Sequence, residues 1–571
     1  MTSSKPGLFA REATGLVREI GFSLGVIIIL THVIGLGWQK RAFQFTGPNP
    51  MPTDMMPLGL PAIFWAFLVC GLVVLITGYA AGYVTAAMPR SGGGYVTISR
   101  VIHPFVGYMS GWMMFLAEAF SYGLIGVAVF EGISIFFGIA MAPNSVNFGS
   151  AELFFGGLAI VWIFAILALL GTKMYGRLME ALFYIPAAIT VVFFALWIGG
   201  VLNPSALATG VQQVLGATPA QINNLAVQTG MTLNPSGFFD AFTVALTGAF
   251  WAYMGWYATT FLAGEVKEAN KKLPMVLLTS GLIIMVTYLL ASSLSSISAM
   301  GVGQFTDASG HQWSFFQSYA WLSYPPSTLP SGATMTIDAA RAAIPNFQKA
   351  WSTGIASMTA RGMDLGILSY LVAIGGVLWV ANDIPPFLLV ASRTFFAMSF
   401  DRMMPERFAY VSEKWHAPVW AILVTALFAI PACGVEAGYL GLDYYFGFAG
   451  VGGTDIFDAL FLTMFCVSCM LLPLERREIY DRAAVKHSVG TVVGIGFFAT
   501  LGSSFTLYVI LKANPWVWSL FTTGATSGDI VSALGFFLFI GFGLLLYLYH
   551  MYRNTTKGVD MHTLYLSIPP E

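Results

Sequence analysis

The sequence predicts an all-α integral membrane protein with about twelve transmembrane helices. Hydrophobic residues make up 57% of its 571 residues and charged residues only 9%, whereas a soluble chain of this length needs far more charge to cover its surface. The mean hydropathy is +0.75. Apolar runs of about 20 residues recur along the chain, and each is long enough to cross a hydrocarbon core of roughly 30 Å. No polar stretch is long enough to build a separate soluble domain.

The apolar runs give the order of the predicted helices. They lie near 20–41, 62–87, 104–138, 153–171, 180–201, 240–262, 275–298, 364–398, 418–434, 448–474, 489–511 and 530–550. Two long segments between them, 203–239 and 299–363, are rich in Ser, Thr, Pro and Gly. These two segments could form either caps or amphipathic surface helices, and the sequence does not decide between them.

The basic residues are distributed unequally between the two sides of the predicted membrane protein. When successive loops are placed on alternating sides, 20 of the 26 Lys and Arg residues fall on one side. Cytoplasmic loops carry such an excess, so we expect a multi-pass protein of the cell membrane with both termini in the cytoplasm. The net charge of −1 argues neither for nor against nucleic acid; we expect a lipid bilayer and no nucleic acid as partners. The sequence does not indicate an oligomeric state.

Two spans are interrupted by glycine near their middle. Span 1 carries Gly35 and Gly37, and span 6 carries Gly255 in an aromatic stretch. Glycine weakens a helix by roughly 1 kcal/mol, and an unwound backbone inside a membrane is tolerated beside a cavity, where its N–H and C=O groups can bind a ligand. The alternative is close helix packing through small residues. Interrupted helices at corresponding positions of two five-helix halves indicate an inverted-repeat transporter.

Five segments resemble landmarks of the amino acid–polyamine–organocation superfamily of secondary transporters. They occur in the expected order: 79–83 together with Met-Pro-Arg-Ser-Gly-Gly-Gly-Tyr at 88–95, then 107–112, 265–274, 392–405 and 557–571. The resemblance covers about 20–570 and is of the amino acid permease type. It implies a leucine-transporter-type fold, with five plus five helices in inverted repeats, helices 1 and 6 interrupted, and two additional helices.

The resemblance also implies a division of the chain. The expected parts are a cytoplasmic N-terminal segment 1–19, a first repeat 20–201 with helices 1–5, an extracellular loop 202–239, a second repeat whose first part is 240–434 with helices 6–9 and the extracellular loop 299–363, helix 10 in 435–474, helices 11 and 12 in 475–550, and a cytoplasmic tail 551–571.

The chain departs from the family pattern at three places. Helix 1 usually carries Gly-Ser/Ala-Gly-Ile-Phe, whereas this chain has Leu36 and Trp38 around Gly37. Several proton-coupled members have a lysine on helix 5, but that place falls near Pro186 here. An acidic residue that often follows the glycine of helix 6 is replaced by Tyr257. A lysine-based proton relay is therefore not supported.

Buried acids are the next candidates, because charge near a bilayer centre costs at least about 2.5–3.5 kcal/mol. Glu118 lies in the middle of span 3, where the resemblance places the substrate pocket. It could pair with a substrate amine, carry a proton, or form a helix–helix hydrogen bond. Asp383 follows Asn382 in span 8, beside two prolines that leave backbone carbonyls free. This setting suits a hard cation or a proton, and the alternative is a hydrogen bond that stabilises a kink. In the related fold, Thr31 and Ile34 would contribute from helix 1.

Further candidates lie close to the two interruptions. His32 could titrate near neutral pH and relay a proton, or could join two helices by a hydrogen bond. Asp455 and Asp458 lie in the outer half of span 10. Trp251 is the expected aromatic gate over the pocket, with ordinary packing as its alternative.

The predicted function is alternating-access transport of an amino acid or a small amine, coupled to a cation or a proton. The substrate carboxylate would bind the N–H groups of Leu36, Gly37 and Trp38 at the N-terminus of a half-helix, and its ammonium would meet Glu118. The remaining predicted substrate-binding residues are His32, Gly35, Phe250, Trp251, Ala252, Tyr253 and Gly255.

We expect no enzyme, cofactor or metal site, since the sequence lacks HExxH, GxSxG and phosphate-loop motifs; a coupling H⁺ or Na⁺ is compatible with this. Cys466 and Cys469 are spaced as in a redox pair, but a membrane helix places them on one face without such a role. The alternative function is a transport-inactive nutrient sensor, or a structural subunit of a larger membrane complex.

Overall fold

Helices carry most of the chain in the computed structural model, which describes residues 7–144, 146–522 and 524–570. Within these residues, eleven helical segments are long and apolar enough to cross a membrane. The predicted all-α membrane fold is therefore confirmed. Lys5, the rest of residues 1–6 and the last tail residue, Glu571, lie outside the described residues.

The described residues up to Met300 form eleven α-helices. They are α1 (Phe22–Val33), α2 (Leu36–Gln44), α3 (Ala62–Ala87), α4 (Gly94–Val101), α5 (Pro104–Ala140), α6 (Ser150–Ala168), α7 (Thr172–Leu202), α8 (Pro204–Leu215), α9 (Pro219–Gln228), α10 (Phe238–Tyr253) and α11 (Ala269–Met300).

The second half begins with a short antiparallel hairpin of two strands, β1 (Phe305–Thr306) and β2 (Gln312–Trp313). The helices that follow are α12 (Phe315–Ser323), α13 (Ile337–Ala342), α14 (Ser352–Gly362), α15 (Gly366–Ala381), α16 (Ile384–Phe400), α17 (Val419–Ala437), α18 (Leu442–Phe446), α19 (Val451–Glu475), α20 (Arg477–Arg482), α21 (Val489–Ala513), α22 (Pro515–Phe521), α23 (Ser527–Thr556) and α24 (Met561–Leu566).

Helix 6 is shorter than the predicted span 240–262. The α-helix ends at Tyr253 and is followed by a turn and a 3₁₀ segment, Ala258–Phe261. Gly255 has φ +90°, a left-handed conformation that favours glycine. A 16-residue helix is about 24 Å long, which is less than the hydrocarbon core. This interruption explains why eleven spans are found instead of twelve.

Helix 1 is also interrupted, as predicted, and span 8 has a break of its own. Ile34 and Gly35 separate α1 from α2. Asn382 and Asp383 separate α15 from α16, and prolines occupy the first turn of α16, where a missing N–H group has the smallest effect. The division into two five-helix repeats stays a prediction.

The two long polar segments form a cap on one face of the helix bundle. Helices α8 and α9 come from the first segment, and the hairpin with α12, α13 and α14 comes from the second. Trp321 Nε1 donates a hydrogen bond to Thr229 Oγ1 at 2.8 Å, which joins the two segments. Helix α14 is buried along its length, and an added Cβ on Gly362 would lie 1.7 Å from the carbonyl oxygen of Ala206. The structure therefore decides for a packed cap. We call its side of the bundle the outer face.

The hairpin of the cap is fixed by the carboxylate of Asp307. Partial burial raises the pKa of this carboxyl group, but hydrogen bonds from Trp313 Nε1 and from the N–H groups of Ser309 and His311 outweigh that effect. The pKa of Asp307 therefore lies below its ordinary value.

The opposite face, which we call the inner face, is covered by both terminal segments. Ala10 N–H donates to the carbonyl of Phe400 at 3.0 Å, and Ile20 forms a β-bridge with Val266. In the tail, three main-chain carbonyls accept hydrogen bonds from arginine side chains: Pro569 from Arg90 at 2.5 Å, Ser567 from Arg100 at 3.4 Å and Leu566 from Arg476 at 2.8 Å.

Two buried ion pairs lie beneath these segments. Arg100 donates two hydrogen bonds to Asp401, at 2.5 and 2.7 Å, and Tyr95 donates a third at 2.8 Å. Arg393 donates to Glu265 at 3.0 and 3.2 Å. Because all of these side chains are buried, the inner face is closed in this conformation.

Candidate functional site

A small cavity lies in the middle of the bundle, where the interrupted helices meet. Its volume is about 30 Å³, enough for about two water molecules. It is lined by His32, Val33, Gly37, Ala117, Glu118, Ser121, Ile125, Trp251, Ala252, Met254, Asp383, Phe387, Thr454, Asp455 and Asp458. We call it the central cavity. It is closed around its polar groups and must widen to accept a larger molecule.

Glu118 and His32 face each other across the central cavity. Glu118 lies on α5 and His32 on α1, and Oε2 of the carboxylate is 3.3 Å from Nε2 of the ring. Within the described residues, neither atom has a hydrogen-bond partner of good geometry. The His32 ring packs edge-on against Phe387 at a centroid distance of 4.2 Å. A Cβ on Gly255 would lie 2.7 Å from the same ring, so the glycine of helix 6 makes room for His32.

The side chain of Asp383, from the break between α15 and α16, lies against the N-terminus of the half-helix α2. Its Oδ2 accepts a hydrogen bond from the Leu36 N–H at 3.1 Å, and a Cβ on Gly35 would lie 2.0 Å from Oδ1. The helix N-terminus attracts a carboxylate through its unpaired N–H groups and its dipole. The Leu36 N–H group was predicted to bind the substrate carboxylate. In this conformation it binds the Asp383 carboxylate instead. Within the described part of the chain, Oδ1 has no hydrogen-bond partner.

A third carboxylate comes from α19. The Tyr257 hydroxyl donates a hydrogen bond to Oδ1 of Asp458, whereas Oδ2 has no partner among the described residues. Tyr257 stands where the resembling family often carries an acid on helix 6. In this chain, α19 brings an acid to that tyrosine, and Asp455 lies one turn earlier on the same helix. The pairing was not predicted, because 201 residues separate the partners.

The outer end of the central cavity is covered by Trp251. The guanidinium carbon of Arg41, which lies on α2, is 3.7 Å from the centre of a Trp251 ring, a distance typical of a cation–π contact. The same guanidinium donates to the side chain of Gln44. Arg41 was not predicted as a site residue, although a buried arginine within an apolar span was a signal for it.

Several predicted substrate-binding residues lie beside the central cavity without lining it. Trp38 packs against Trp197 and Trp379, and Phe250 packs against Phe505. The Tyr253 hydroxyl donates to the carbonyl of Phe67 at 3.0 Å.

Of the other residues predicted for ion or proton coupling, Asn382 is the chain neighbour of Asp383, whereas the Thr31 side chain bonds within its own helix. The Thr31 hydroxyl donates to carbonyls of its own helix at 2.9 and 3.0 Å, and Ile34 belongs to the break between α1 and α2. Asn382 is fully buried, and its side-chain N and O atoms have no hydrogen-bond partner within the described residues.

The central cavity favours a positively charged group. Four carboxylates line it, and His32 is its basic lining residue. Buried polar atoms are normally paired, so several of these oxygens are available to an ammonium group or a cation. The N-terminus of α2, at Gly37, gives the same cavity a set of N–H donors suited to an anion. The arrangement can therefore bind a zwitterion.

The chain is similar in sequence to known proteins. A family model described as "Amino acid permease" matches residues 20–525. The chain is 25% identical over 279 residues to the Serine/threonine exchanger SteT of Bacillus subtilis. The matched stretch covers 48% of this chain and 53% of that protein.

Two animal proteins are similar to a comparable extent. The b(0,+)-type amino acid transporter 1 of Mus musculus is 23% identical over 286 residues, with 49% of this chain and 51% of the relative covered. The Cystine/glutamate transporter of Homo sapiens is 22% identical over 293 residues, with 49% and 50% covered. The chain thus matches about half the length of these curated relatives.

Proposed function

Because the chain belongs to the amino acid permease family, we propose that it is a secondary transporter that moves amino acids across the cell membrane by alternating access, with both termini cytoplasmic. The observation that supports this proposal most is the central cavity. It lies at the breaks of two membrane helices and holds buried carboxylate oxygens that have no hydrogen-bond partner among the described residues. The names of the relatives favour transport over a sensor or a structural subunit.

The substrate's ammonium group would bind between Glu118 and Asp458. Both carboxylates are buried, line the central cavity and keep an oxygen without a hydrogen-bond partner among the described residues. An ammonium group supplies the donors that these oxygens lack. The substrate carboxylate would approach the N-terminus of α2 at Gly37, where the helix dipole favours negative charge.

Transport requires the outer wall of the central cavity to open, since about 30 Å³ is too small for an amino acid. Trp251 and Arg41 form that wall, and Arg41 moves with α2. Asp383 is the proposed coupling residue, with H⁺ or Na⁺ as the coupling ion, because it faces the cavity and holds the first N–H group of α2.

The proposal is tested by uptake into proteoliposomes that contain the purified chain. A panel of radiolabelled amino acids and small amines is applied with sodium or choline outside, at several pH values, and with or without amino acid inside. We expect uptake of at least one amino acid. Absence of uptake for the whole panel, with folded protein, would contradict transport.

Glu118→Gln is the variant that tests the binding geometry. The neutral amide removes a charge-assisted hydrogen bond, so we expect uptake to fall by about tenfold or more. Glu413→Gln, in an exposed loop, is the matched control and should transport at the wild-type rate. Wild-type uptake by Glu118→Gln would rule out Glu118 as the partner of the substrate amine.

A further inference from the structure

A second, larger cavity lies on the outer face. Its volume is about 530 Å³, within the range of about 300–1,000 Å³ typical of small-molecule sites. It is formed by the outer ends of α2, α5 and α17 together with the cap segment that precedes α14. We call it the outer cavity. Its charged lining residues are Lys40, Glu131, Arg341, Lys349 and Glu436, and it shares no lining residue with the central cavity.

Four charges of alternating sign form a row along the outer cavity. Glu131 Oε1 lies 3.9 Å from the Lys349 ammonium, and Glu131 Oε2 lies 2.8 Å from Lys40 Nζ. Lys40 Nζ in turn lies 3.8 Å from Glu436 Oε1. Only the middle contact is a hydrogen bond; the two outer contacts are longer than hydrogen-bond distance.

The two ends of this row therefore keep hydrogen-bonding capacity. One end is the Lys349 ammonium, whose side chain is 49% exposed, and the other is the Glu436 carboxylate, whose side chain is 24% exposed. Arg341 differs from both, because its guanidinium donates to the carbonyls of Leu322 and Ser323 at 2.7 and 3.1 Å. A molecule with one carboxylate and one ammonium would complete both ends of the row.

We infer that the outer cavity is a second binding site, which takes the zwitterionic backbone of an amino acid before that amino acid reaches the central cavity. The carboxylate binds Lys349 and the ammonium binds Glu436. The remaining wall includes Phe148, Leu153 and Phe347, which offer an apolar surface to side chains of different kinds. The site therefore recognises the backbone and selects little among side chains.

The position of the outer cavity connects it to the helix that must move. Lys40 lies on α2, whose first residues border the central cavity. Lys349 immediately precedes α14, where the Ser352 hydroxyl donates to the carbonyl of Trp38 at 3.2 Å. An amino acid in the outer cavity thus contacts α2, which carries Arg41 of the wall over the central cavity, and the segment that leads into α14, which is hydrogen-bonded to α2. This inference rests on the proposed function for the identity of its ligand.

The test measures occupancy directly, by protection of a cysteine. Asn147 is exposed and lines the outer cavity, whereas the four native cysteines are buried. Asn147→Cys in the full chain, reconstituted in lipid nanodiscs, is reacted with N-ethylmaleimide. L-serine in millimolar excess should at least halve the rate. L-serine methyl ester and N-acetyl-L-serine, which each lack one of the two charges, should leave the rate unchanged.

Charge variants on the same background locate the protection. Lys349→Gln and Glu436→Gln should each abolish it, because each removes one end of the row. Lys512→Gln, which changes an exposed lysine outside the cavity, should retain the protection of Asn147→Cys. Ser309→Cys, placed in the hairpin loop of the otherwise unchanged chain, should react at the same rate with and without L-serine. Melting temperatures show that each variant is folded. No protection by L-serine, or protection that survives both Lys349→Gln and Glu436→Gln, would overturn the inference.

The measurement is independent of transport. Protection should persist when Glu118→Gln is added to Asn147→Cys, even if that variant takes up nothing. Failure of uptake with intact protection contradicts the proposed function alone, whereas uptake without protection contradicts the second site alone.

Discussion

Two groups of buried charges among the described residues differ in their partners. On the inner face, Arg100 and Asp401 satisfy each other through two hydrogen bonds. In the central cavity, Glu118 and Asp458 each keep an oxygen without a partner among the described residues. A fully paired buried charge holds a conformation together, whereas an unpaired one costs free energy until a ligand arrives. The same residue types therefore hold the inner face closed in one place and, in the proposed function, bind the substrate in the other.

Asp401→Asn should strongly destabilise the protein. The amide leaves the buried Arg100 guanidinium without a counter-charge, which costs about 3–5 kcal/mol. The measurement is the free energy of unfolding in detergent, or the melting temperature. Asp481→Asn is the matched control: its partner Arg477 is exposed and one helical turn away, so the cost should be about 0.5 kcal/mol or less. Equal effects of the two substitutions would contradict this account.

Gly35→Ala should impair both stability and uptake. The new methyl group would lie 2.0 Å from Asp383 Oδ1, so either the carboxylate or the helix break must move. Such overpacking costs about 1–3 kcal/mol. Gly490→Ala, with no atom within 4 Å of the added Cβ at the start of α21, should be neutral or stabilising by up to about 1 kcal/mol. Normal uptake and stability of Gly35→Ala would show that the break tolerates a side chain.

Residue types and the family resemblance together predicted much of the central cavity. His32, Gly37 and Asp383 were chosen as titratable residues or glycine within apolar spans, whereas the resemblance placed Glu118, Trp251 and Ala252 at the pocket. All six line it. The contribution of Arg41 and the pairing of Tyr257 with Asp458 were not predicted. Both depend on how distant helices are rotated against each other, and hydrophobic runs without a polar face carry no signal for rotation.

At the scale of elements, the positions of glycine and proline predicted where the membrane helices break. They did not predict what structure follows each break. Gly35 and Gly255 coincide with the breaks in helices 1 and 6. The sequence could not show that helix 6 continues as a short 3₁₀ segment, since Ala258–Phe261 reads Ala-Thr-Thr-Phe and contains no glycine or proline to mark a change of helix type. The cap was equally undetermined, because its helices are buried partly against each other and partly against the outer ends of the membrane helices, such as α7 and α15, and neither contact can be read from the polar composition of the two segments.

The start of α2 gives a prediction about Asp383. Asp383→Asn keeps an oxygen that can accept from the Leu36 N–H, so stability should change by less than about 1 kcal/mol, whereas the dependence of uptake on sodium or pH should be lost. Asp383→Leu removes the acceptor and should cost about 1–3 kcal/mol. The checks are melting temperatures and uptake across sodium concentration and pH. Unchanged ion dependence in Asp383→Asn would exclude the coupling role.

At the scale of the whole molecule, composition and five ordered landmarks were sufficient for the fold class and the family. The hydrophobic content indicates a membrane protein, and the order of the five landmarks along the chain indicates the order of helices found in that family. Sidedness rests on the distribution of Lys and Arg alone, since a bundle of helices has no intrinsic inside or outside.

Epitope tags can check the orientation of the protein. A tag inserted after Ser309, in the exposed loop of the outer hairpin, should be accessible to antibody on intact cells. A tag fused after the tail should become accessible only after permeabilisation, because the excess of basic residues lies on that side. The reverse pattern would overturn the predicted orientation, and uptake by both tagged proteins controls for misfolding.

The docking of the tail on the inner face has a consequence for variation in its sequence. The three tail acceptors for Arg90, Arg100 and Arg476 are main-chain carbonyls, which every residue type supplies. These three hydrogen bonds therefore depend on the path of the backbone, whereas the Arg100 guanidinium also lies 5.1 Å from the centre of the Tyr565 ring. A substitution within residues 566–569 that keeps the path keeps the three bonds, whereas a deletion there shifts the carbonyls out of register. For these bonds, the length of the segment matters more than its composition.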